Sequence, residues 1–256
     1  MDDIKVSIIT VCYNSELTIA RTIESVLNQT YKNIEYIIVD GKSSDGTLVV
    51  VEKYKQDFGN RLIVVSEKDN GIYDAMNKGI DIASGQIIGI INSDDYYEVN
   101  AVEEIVNAYQ ADKCNPLSVY YGGTAMVRDG VINRIAYSNH EKLEEEMITH
   151  PSCFVTKQVY EQLGKFDLQY SCVADYDFMI RLKRSGKASF IPLKKHISNF
   201  TMGGMSSTGK AYIDLIHLRM NYGMISKIDG NIRIFKAKLA EWMQKHGMEP
   251  IRIRKR

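Results

Sequence analysis

Strand-like and helix-like segments alternate through the first hundred residues, and this alternation constrains the fold more than any other feature of the chain. Short apolar runs rich in β-branched residues indicate buried strands at 5–11, 34–40, 61–66 and 86–92. The stretches between them have apolar side chains at helical spacing. Strands that alternate with helices form right-handed β-α-β units and a parallel sheet. We therefore expect an α/β fold with a mostly parallel central sheet and helices on both faces.

The second half of the chain is less regular. Residues 118–137 indicate two strands around Asp129-Gly130, a dipeptide typical of hairpin turns. Further strands are predicted at 151–156 and 187–191, helices at 175–185, 210–222 and 232–245, and a flexible glycine- and serine-rich loop at 202–208. We find no repeat, no low-complexity linker and no clear boundary between independent domains.

Charge and composition exclude some classes of partner. The 32 basic residues balance 32 acidic ones, so no overall field attracts nucleic acid, and we expect no nucleic-acid partner. Four cysteines lie far apart without Cys-x-x-Cys spacing, which favours reduced thiols in a cytoplasmic protein. The N-terminus enters a strand pattern at once, which is unlike a signal peptide.

The chain contains no apolar run near the roughly 18 residues that a membrane span needs. Its C-terminus is basic, because Arg252, Arg254, Lys255 and Arg256 follow an already basic segment. Such a tail is usually solvated, but anionic lipid headgroups also attract it. The alternatives are a cytoplasmic protein and one held peripherally at the inner face of the cell membrane.

Polar clusters follow the predicted strands at their carboxyl ends, where ligands bind in parallel sheets. Asp40 ends the second strand, Glu67 and Asp69 follow the third, and 92–95 (Asn-Ser-Asp-Asp) follows the fourth. Asp94 and Asp95 repel each other unless a cation or shared proton compensates, and a hard divalent ion bridging to substrate phosphates is one solution. Otherwise Asp94 caps the helix that begins near residue 100, or both carboxylates face water.

Other residues have two interpretations each. Asp40 is either a turn-forming aspartate or an acceptor for a base N–H or a ribose hydroxyl. Lys78 either contributes to the site or pairs with Asp74 one helical turn away. Asp175 either benefits from a helix dipole or acts as a general base on an acceptor hydroxyl. His150 is isolated in sequence, which favours a core or surface histidine.

In order along the chain, these segments resemble the family 2 glycosyltransferases, inverting enzymes with the GT-A fold. The resemblance covers residues 5 to 207 and includes the segments VSIITVCYN, SVLNQTYKNIEYIIVDGKSSDGT, SEKDNGIYDAMNKGIDIASGQIIGIINSDD, HPSCFVTKQVYEQLGKFD, VADYDFMIRL and GGMSS. It implies one GT-A domain over 1–215, with a nucleotide-sugar-binding half (1–100) and an acceptor-binding half (101–215). A helical, basic extension would follow at 216–256.

The resemblance implies a role for each matched position. Asp40 looks like the aspartate that contacts the nucleobase, with Val11 lining the base pocket and Lys78 also on the donor side. Glu67 and Asp69 look like the acidic pair between base and ribose. Asp94 and Asp95 are the implied ligands of Mn²⁺ or Mg²⁺, although Asn92 replaces the first aspartate of the usual Asp-x-Asp. Asp175 is the implied general base, although Ala174 replaces the usual preceding glutamate.

The implied reaction transfers a sugar from a nucleotide-diphospho-sugar, with UDP favoured, to an acceptor hydroxyl with inversion. The expected acceptor is a glycan or a lipid-linked molecule in cell-surface polysaccharide or glycolipid synthesis. One alternative is a non-catalytic homologue that binds nucleotide sugars. A sugar-1-phosphate nucleotidyltransferase is a weaker alternative, because Tyr13-Asn14-Ser15-Glu16 replaces its glycine-rich basic loop. The missing Gly-x-Gly-x-x-Gly after the first strand excludes a dinucleotide-dependent oxidoreductase.

Overall fold

The computed structural model describes residues 4–203 and 209–246 of the 256-residue chain. Within it the chain forms two compact units, Met1–Leu168 with Ala174–Met202, and Gln169–Val173 with Gly203–Arg256. The predicted domain boundary at residue 215 stays a prediction. The basic C-terminal residues Arg252, Arg254, Lys255 and Arg256 and most of the predicted loop at 202–208 lie outside the described residues.

The first unit is built on a mixed sheet in which the four N-terminal strands run parallel. They are β1 (Val6–Cys12), β2 (Ile34–Asp40), β3 (Leu62–Ser66) and β4 (Ile87–Ile90), as the sequence predicts. β1 pairs in register with both β2 and β4, and β3 pairs with β2. β1, β2 and β4 are buried along their whole length, which explains their continuous apolar sequence.

The later strands complete the sheet, whose order is β3-β2-β1-β4-β8-β6-β9-β5, with β7 beside β6. They are β5 (Tyr96–Tyr97), β6 (Ser118–Arg128), β7 (Val131–Ala136), β8 (Cys153–Thr156) and β9 (Ser189–Thr201). β8 is antiparallel to β4, whereas β9 is parallel to β6. The prediction ends β9 at residue 191, but pairing with β6 and β5 extends the strand through polar residues to Thr201.

The helices of the first unit agree with the sequence patterns, except that α3 and α6 were not predicted. They are α1 (Ile19–Leu27), α2 (Thr47–Lys53), α3 (Lys55–Phe58), α4 (Ile72–Ile82), α5 (Ala101–Ala111), α6 (Lys157–Leu163) and α7 (Ala174–Ser185). α4 packs very close to β1, since a Cβ at Gly79 would lie 2.5 Å from Cγ2 of Ile9. This approach fixes α4, which carries several site residues.

The second unit contains α8 (Gly209–Asn221) and α9 (Lys227–Lys245). The Asp214 carboxylate accepts hydrogen bonds from the backbone N–H of Ser171 and Cys172, each at 3.1 Å, and from the Ser171 hydroxyl at 2.7 Å. Among the described residues, no helix is both long and apolar enough to cross a membrane.

A buried carboxylate stabilises the amino ends of the strands, opposite the strand ends that carry the polar clusters. Glu35 of β2 accepts hydrogen bonds from the Ser7 hydroxyl of β1, from the backbone and hydroxyl of Ser84 after α4, and from Lys5. Burial opposes the charged form, but the Ser84 and Ser7 hydrogen bonds outweigh it and lower the pKa of Glu35 to about 2.

Glu35→Gln should destabilise the protein by roughly 1–3 kcal/mol at pH 7, because a buried amide cannot satisfy the same donors. The pKa of Glu35 is lowered on folding, from 4.5 to about 2, so its contribution is complete above pH 4.5 and is lost as pH falls towards 2. Urea unfolding at pH 7, 4 and 3 should show the gap between wild type and variant narrowing with acid. A gap that stays constant or widens would contradict this assignment.

Candidate active site

Asp40 lies at the carboxyl end of β2, fully buried and surrounded by donors. Its carboxylate accepts hydrogen bonds from the Ser66 hydroxyl at 2.6 Å and from the Ser43 backbone at 3.1 Å, and the Cys12 sulfur lies 3.7 Å away. Burial, together with the nearby Asp40, raises the pKa of the Cys12 thiol. Asp40 therefore orders the turn after β2 and places its carboxyl group at the strand ends.

The other predicted donor-side residues lie around this turn. Val11 is buried in β1 opposite Val39. Asp69 lies against the turn, because a Cβ at Gly41 would meet its Oδ2 at 2.5 Å. The Gly71 backbone N–H donates to Asp69 Oδ1 at 3.0 Å.

Lys78 on α4 lies close to two carboxylates, those of Glu67 and Asp74. Its ammonium lies 2.9 Å from the Glu67 carboxylate and 3.6 Å from that of Asp74. The hydrogen bond with Glu67 is the main cause of the raised pKa of Lys78. The pair with Asp74 is the helical one that the sequence suggests, and the pair with Glu67 ties α4 to the segment after β3.

The segment 92–95 after β4 is held from two sides. From α1, the Thr22 hydroxyl donates to the Asp95 carbonyl at 2.6 Å, and the Arg21 guanidinium donates to the Asp94 carbonyl at 2.7 Å. From β9, the Thr201 hydroxyl donates to the same Asp94 carbonyl at 2.6 Å. The Ser93 hydroxyl also meets that of Ser15, in the segment after β1, at 2.7 Å.

Asp94 and Asp95 differ in their surroundings. Asp95 is fully buried, and its Oδ1 accepts the Thr201 backbone N–H at 2.8 Å. Burial and the adjacent Asp94 raise its pKa well above the ordinary value. Asp94 is only partly buried, although the burial that it has also raises its pKa. No other described residue donates a hydrogen bond to its carboxylate. Asp94 is therefore the member of the pair that is open to a ligand.

Asn92, at the position where the resemblance leads one to expect aspartate, has a buried oxygen, Oδ1, without a hydrogen-bond partner among the described residues. Its amide nitrogen points towards Asp95 Oδ2 at 3.5 Å. No group of three or more His, Cys, Asp or Glu among the described residues is arranged to hold a metal ion.

Asp175 lies in the first turn of α7 and is almost wholly buried. Its Oδ1 accepts hydrogen bonds from the Tyr73 hydroxyl at 2.7 Å and from the Tyr176 backbone at 2.9 Å. The described residues provide no donor for Oδ2. The carboxylate is thus fixed through one oxygen while the other stays able to accept a proton.

α4 fixes the surroundings of Asp175 as well as the donor side. Asn77, one turn after Tyr73, exchanges two hydrogen bonds with the backbone of Phe166, at 2.9 and 3.1 Å. The Phe166 ring packs against those of Tyr73 and His150. Burial lowers the pKa of His150, which Asp175 opposes, and His150 Nδ1 is buried without a partner among the described residues.

Asp177, two residues after Asp175, has a different setting. Its buried carboxylate accepts a hydrogen bond from Arg181 Nε at 2.7 Å. The same guanidinium donates to the carbonyls of Leu163 and Lys165. This pair attaches α7 to the segment after α6.

The structure thus places Val11, Asp40, Asp69 and the segment 92–95 at the carboxyl ends of neighbouring parallel strands. Sequence reasoning missed Tyr73 and treated His150 as isolated. Tyr73 lies in the segment DNGIYDAMNKG, where its position on the same helical face as Asn77 was the available signal. Its contact with Asp175 spans 102 positions in sequence, which no local pattern reports.

Comparison with known proteins assigns the chain to a family. The family model "Glycosyl transferase family 2" matches residues 7–164. The chain belongs to glycosyl transferase family 2. It is therefore a glycosyltransferase of this inverting family, and the resemblance inferred from its sequence segments is confirmed.

Relatives and solved structures extend the comparison. A "PGL/p-HBAD biosynthesis glycosyltransferase" of Mycobacterium bovis is 30% identical over 176 residues, 68% of each chain. A "Chondroitin synthase" of Pasteurella multocida is 32% identical over 80% of this chain but only 21% of its own length. S. aureus TarS 1-349 in complex with UDP-GlcNAc matches with a TM-score of 0.69 at 18% identity, covering 94% of this chain and 72% of that one.

A second solved structure is a mannosyltransferase from Pyrobaculum calidifontis in complex with GDP-Man and Mn²⁺. It matches with a TM-score of 0.66 at 17% identity, covering 93% of this chain and 69% of that one. These two structures confirm the predicted GT-A fold.

The different surroundings of Asp94 and Asp95 predict different effects on stability. Asp95→Ala should lower the free energy of unfolding by about 1–3 kcal/mol, because it leaves the part-buried Thr201 N–H without its acceptor. Asp94→Ala should change it by less than about 0.5 kcal/mol, since no other residue in 4–203 or 209–246 donates a hydrogen bond to that carboxylate. Urea unfolding of both variants measures the difference. Equal effects would show that the two carboxylates are equivalent.

Proposed function

We propose that this glycosyltransferase moves a sugar from a nucleotide-diphospho-sugar, with UDP as the favoured nucleotide, to an acceptor hydroxyl with inversion. The observation that carries the proposal is the Asp175 carboxylate, held through Oδ1 by the Tyr73 hydroxyl with Oδ2 left without a donor among the described residues. A purely binding homologue has no need of a buried carboxylate oriented in this way.

The donor would bind along the strand ends. Asp40 and Asp69 flank the turn after β2, where they would accept N–H or hydroxyl donors of a nucleoside, with Val11 lining the base pocket. Glu67 and Lys78 form an ion pair beside the same turn and would lie on the ribose side. The unpartnered Oδ1 of Asn92 is a further acceptor within this region.

The residues of segment 92–95 fit a divalent cation, Mn²⁺ or Mg²⁺, that is shared with the substrate. Such ions are commonly held by one or two carboxylates plus substrate phosphates. Asp94 would hold it, because its carboxylate is the open one. Asp95, predicted as a second ligand, has Oδ1 already bonded to the Thr201 backbone, so we assign it the role of fixing the segment. When bound, the ion neutralises charge on the diphosphate leaving group.

Asp175 would act on the acceptor. Oδ2 takes the proton of the acceptor hydroxyl as its oxygen forms a bond to the anomeric carbon, and the bond from that carbon to the diphosphate oxygen breaks. Attack on the face opposite the leaving group inverts the configuration. The fixed carboxylate supplies orientation, because Tyr73 and the Tyr176 backbone prevent Oδ1 from rotating away.

The class of acceptor is proposed from the names of two relatives. One relative is named for the biosynthesis of PGL/p-HBAD and another for chondroitin synthesis. We propose a glycan or lipid-linked acceptor of cell-surface polysaccharide or glycolipid synthesis, which would place the protein in the cytoplasm or at the inner face of the membrane.

Asp94→Ala should abolish divalent-dependent binding of nucleotide sugars while leaving the fold intact. Titration calorimetry with UDP-sugars and GDP-mannose, each with and without Mn²⁺, measures the effect. Asp57→Ala, which removes an exposed carboxylate of α3, is the matched control and should bind as wild type does. If Asp94→Ala retains wild-type metal dependence, the metal assignment is wrong.

Asp175→Asn should reduce turnover by about two to four orders of magnitude, since an amide cannot accept the hydroxyl proton. Donor affinity should be nearly unchanged, because the residue is proposed to face the acceptor. Steady-state kinetics and donor titration on the same preparation separate the two quantities.

Asp177→Asn is the control for that experiment. It weakens the ion pair with Arg181, so it should lower the melting temperature but preserve most of the activity per folded molecule. Equal, small losses of activity in both variants would end the assignment of Asp175 as the base.

A further inference from the structure

α9 carries a narrow stripe of exposed apolar side chains. Its members repeat at alternating intervals of four and three residues, and each is between 37% and 76% exposed: Ile228, Ile232, Phe235, Leu239 and Trp242. At about 100° per residue, the five side chains fall within roughly 80° of the helix circumference. We call this set the α9 stripe.

The α9 stripe is not the face by which the helix packs in its own unit. Among the α9 residues whose burial is described, Gly230 and Ile234 are buried, and Gly230 lies against Met220 of α8. These positions lie about 140° around the helix from the centre of the stripe. α9 therefore has two apolar faces, of which packing against α8 uses only one.

Basic side chains flank the stripe on both sides. Lys236 lies about 80° to one side of its centre, while Lys238 and Lys245 lie about 80–100° to the other. α9 has five basic residues against two acidic ones. One acidic residue, Asp229, pairs with Arg233, and none of the three flanking lysines forms an ion pair with a described residue.

This charge pattern selects among possible occupants. Alternating spacings of three and four are also typical of a seam between two helices of a coiled coil. In a second copy of α9, however, the positions beside the seam would again carry Lys236, Lys238 and Lys245. Asp229, one heptad before Lys236, is the acidic side chain on that flank, and it already pairs with Arg233. Like charges there oppose self-association, whereas an anionic surface complements them.

We propose that the α9 stripe docks on the surface of a bilayer that contains anionic lipid. The helix would lie in the plane of the interface with the stripe among the upper acyl chains, and the lysines would extend sideways to the headgroups. Trp242 is suited to that depth, because its ring is apolar with a polar N–H. The site belongs to α9 and does not depend on the proposed sugar transfer.

The composition of the chain provides a direct probe, because Trp242 is its only tryptophan. The full-length protein is titrated with vesicles of phosphatidylcholine alone or with phosphatidylglycerol added, while the emission of Trp242 is recorded and bound protein is measured by co-sedimentation. A blue shift and sedimentation are expected with the anionic vesicles, and both should weaken at high salt.

Two double variants test the two parts of the surface without removing the probe. Ile228→Ser with Phe235→Ser, and Lys236→Glu with Lys238→Glu, should each reduce partitioning onto anionic vesicles by about 10- to 100-fold. Val131→Ser with Ile135→Ser, which removes two exposed apolar side chains of β7, is the matched control and should bind as wild type does. Circular dichroism and donor hydrolysis in vesicle-free solution should match wild type throughout.

Three results would overturn the proposal. The first is no blue shift with anionic vesicles, and the second is equal binding by wild type and both α9 variants. The third is self-association of wild type in analytical ultracentrifugation that Ile228→Ser with Phe235→Ser abolishes, without any lipid binding, which would assign the stripe to a second copy of the chain.

Discussion

The parallel pairing of β1 with both β2 and β4 is the constraint on which the site depends. Because the strands run in one direction and in register, their carboxyl ends meet at one edge, with Cys12 opposite Asp40 and Asp40 opposite Ser66. Side chains that are far apart in sequence become neighbours there. These side chains at the strand ends are too polar for a hydrophobic core. The hydrogen-bond donors around Asp40 offset the free-energy cost of burying its carboxylate.

Two acidic pairs near the site share one arrangement. In each pair, one carboxylate is tied down by the protein, Asp95 by the Thr201 backbone and Asp177 by Arg181. The other member receives no hydrogen bond from the other described residues at the Asp94 carboxylate, and none at Oδ2 of Asp175. Two neighbouring charges are costly to bury together, so giving one of them internal donors fixes the segment and leaves the other to a ligand.

α4 links the two halves of the proposed reaction. Its Lys78 reaches Glu67 on the donor side, and its Tyr73 holds the proposed base on the acceptor side. The close approach at Gly79 fixes the helix against β1, so both contacts depend on one rigid element. A general base must be positioned relative to the donor's anomeric carbon, and a shared helix supplies that relation.

The sequence by itself determined the four parallel strands, the helices between them and the polar residues at the strand ends, because apolar periodicity and strand-end chemistry are local properties. It also showed which acidic residues were candidates. Only the tertiary structure decided that Asp94 is open while Asp95 is enclosed, that Tyr73 holds Asp175, and that β9 continues to Thr201. The reason is physical: adjacent residues have the same local pattern, and their exposure and partners are set by segments that fold against them from far along the chain.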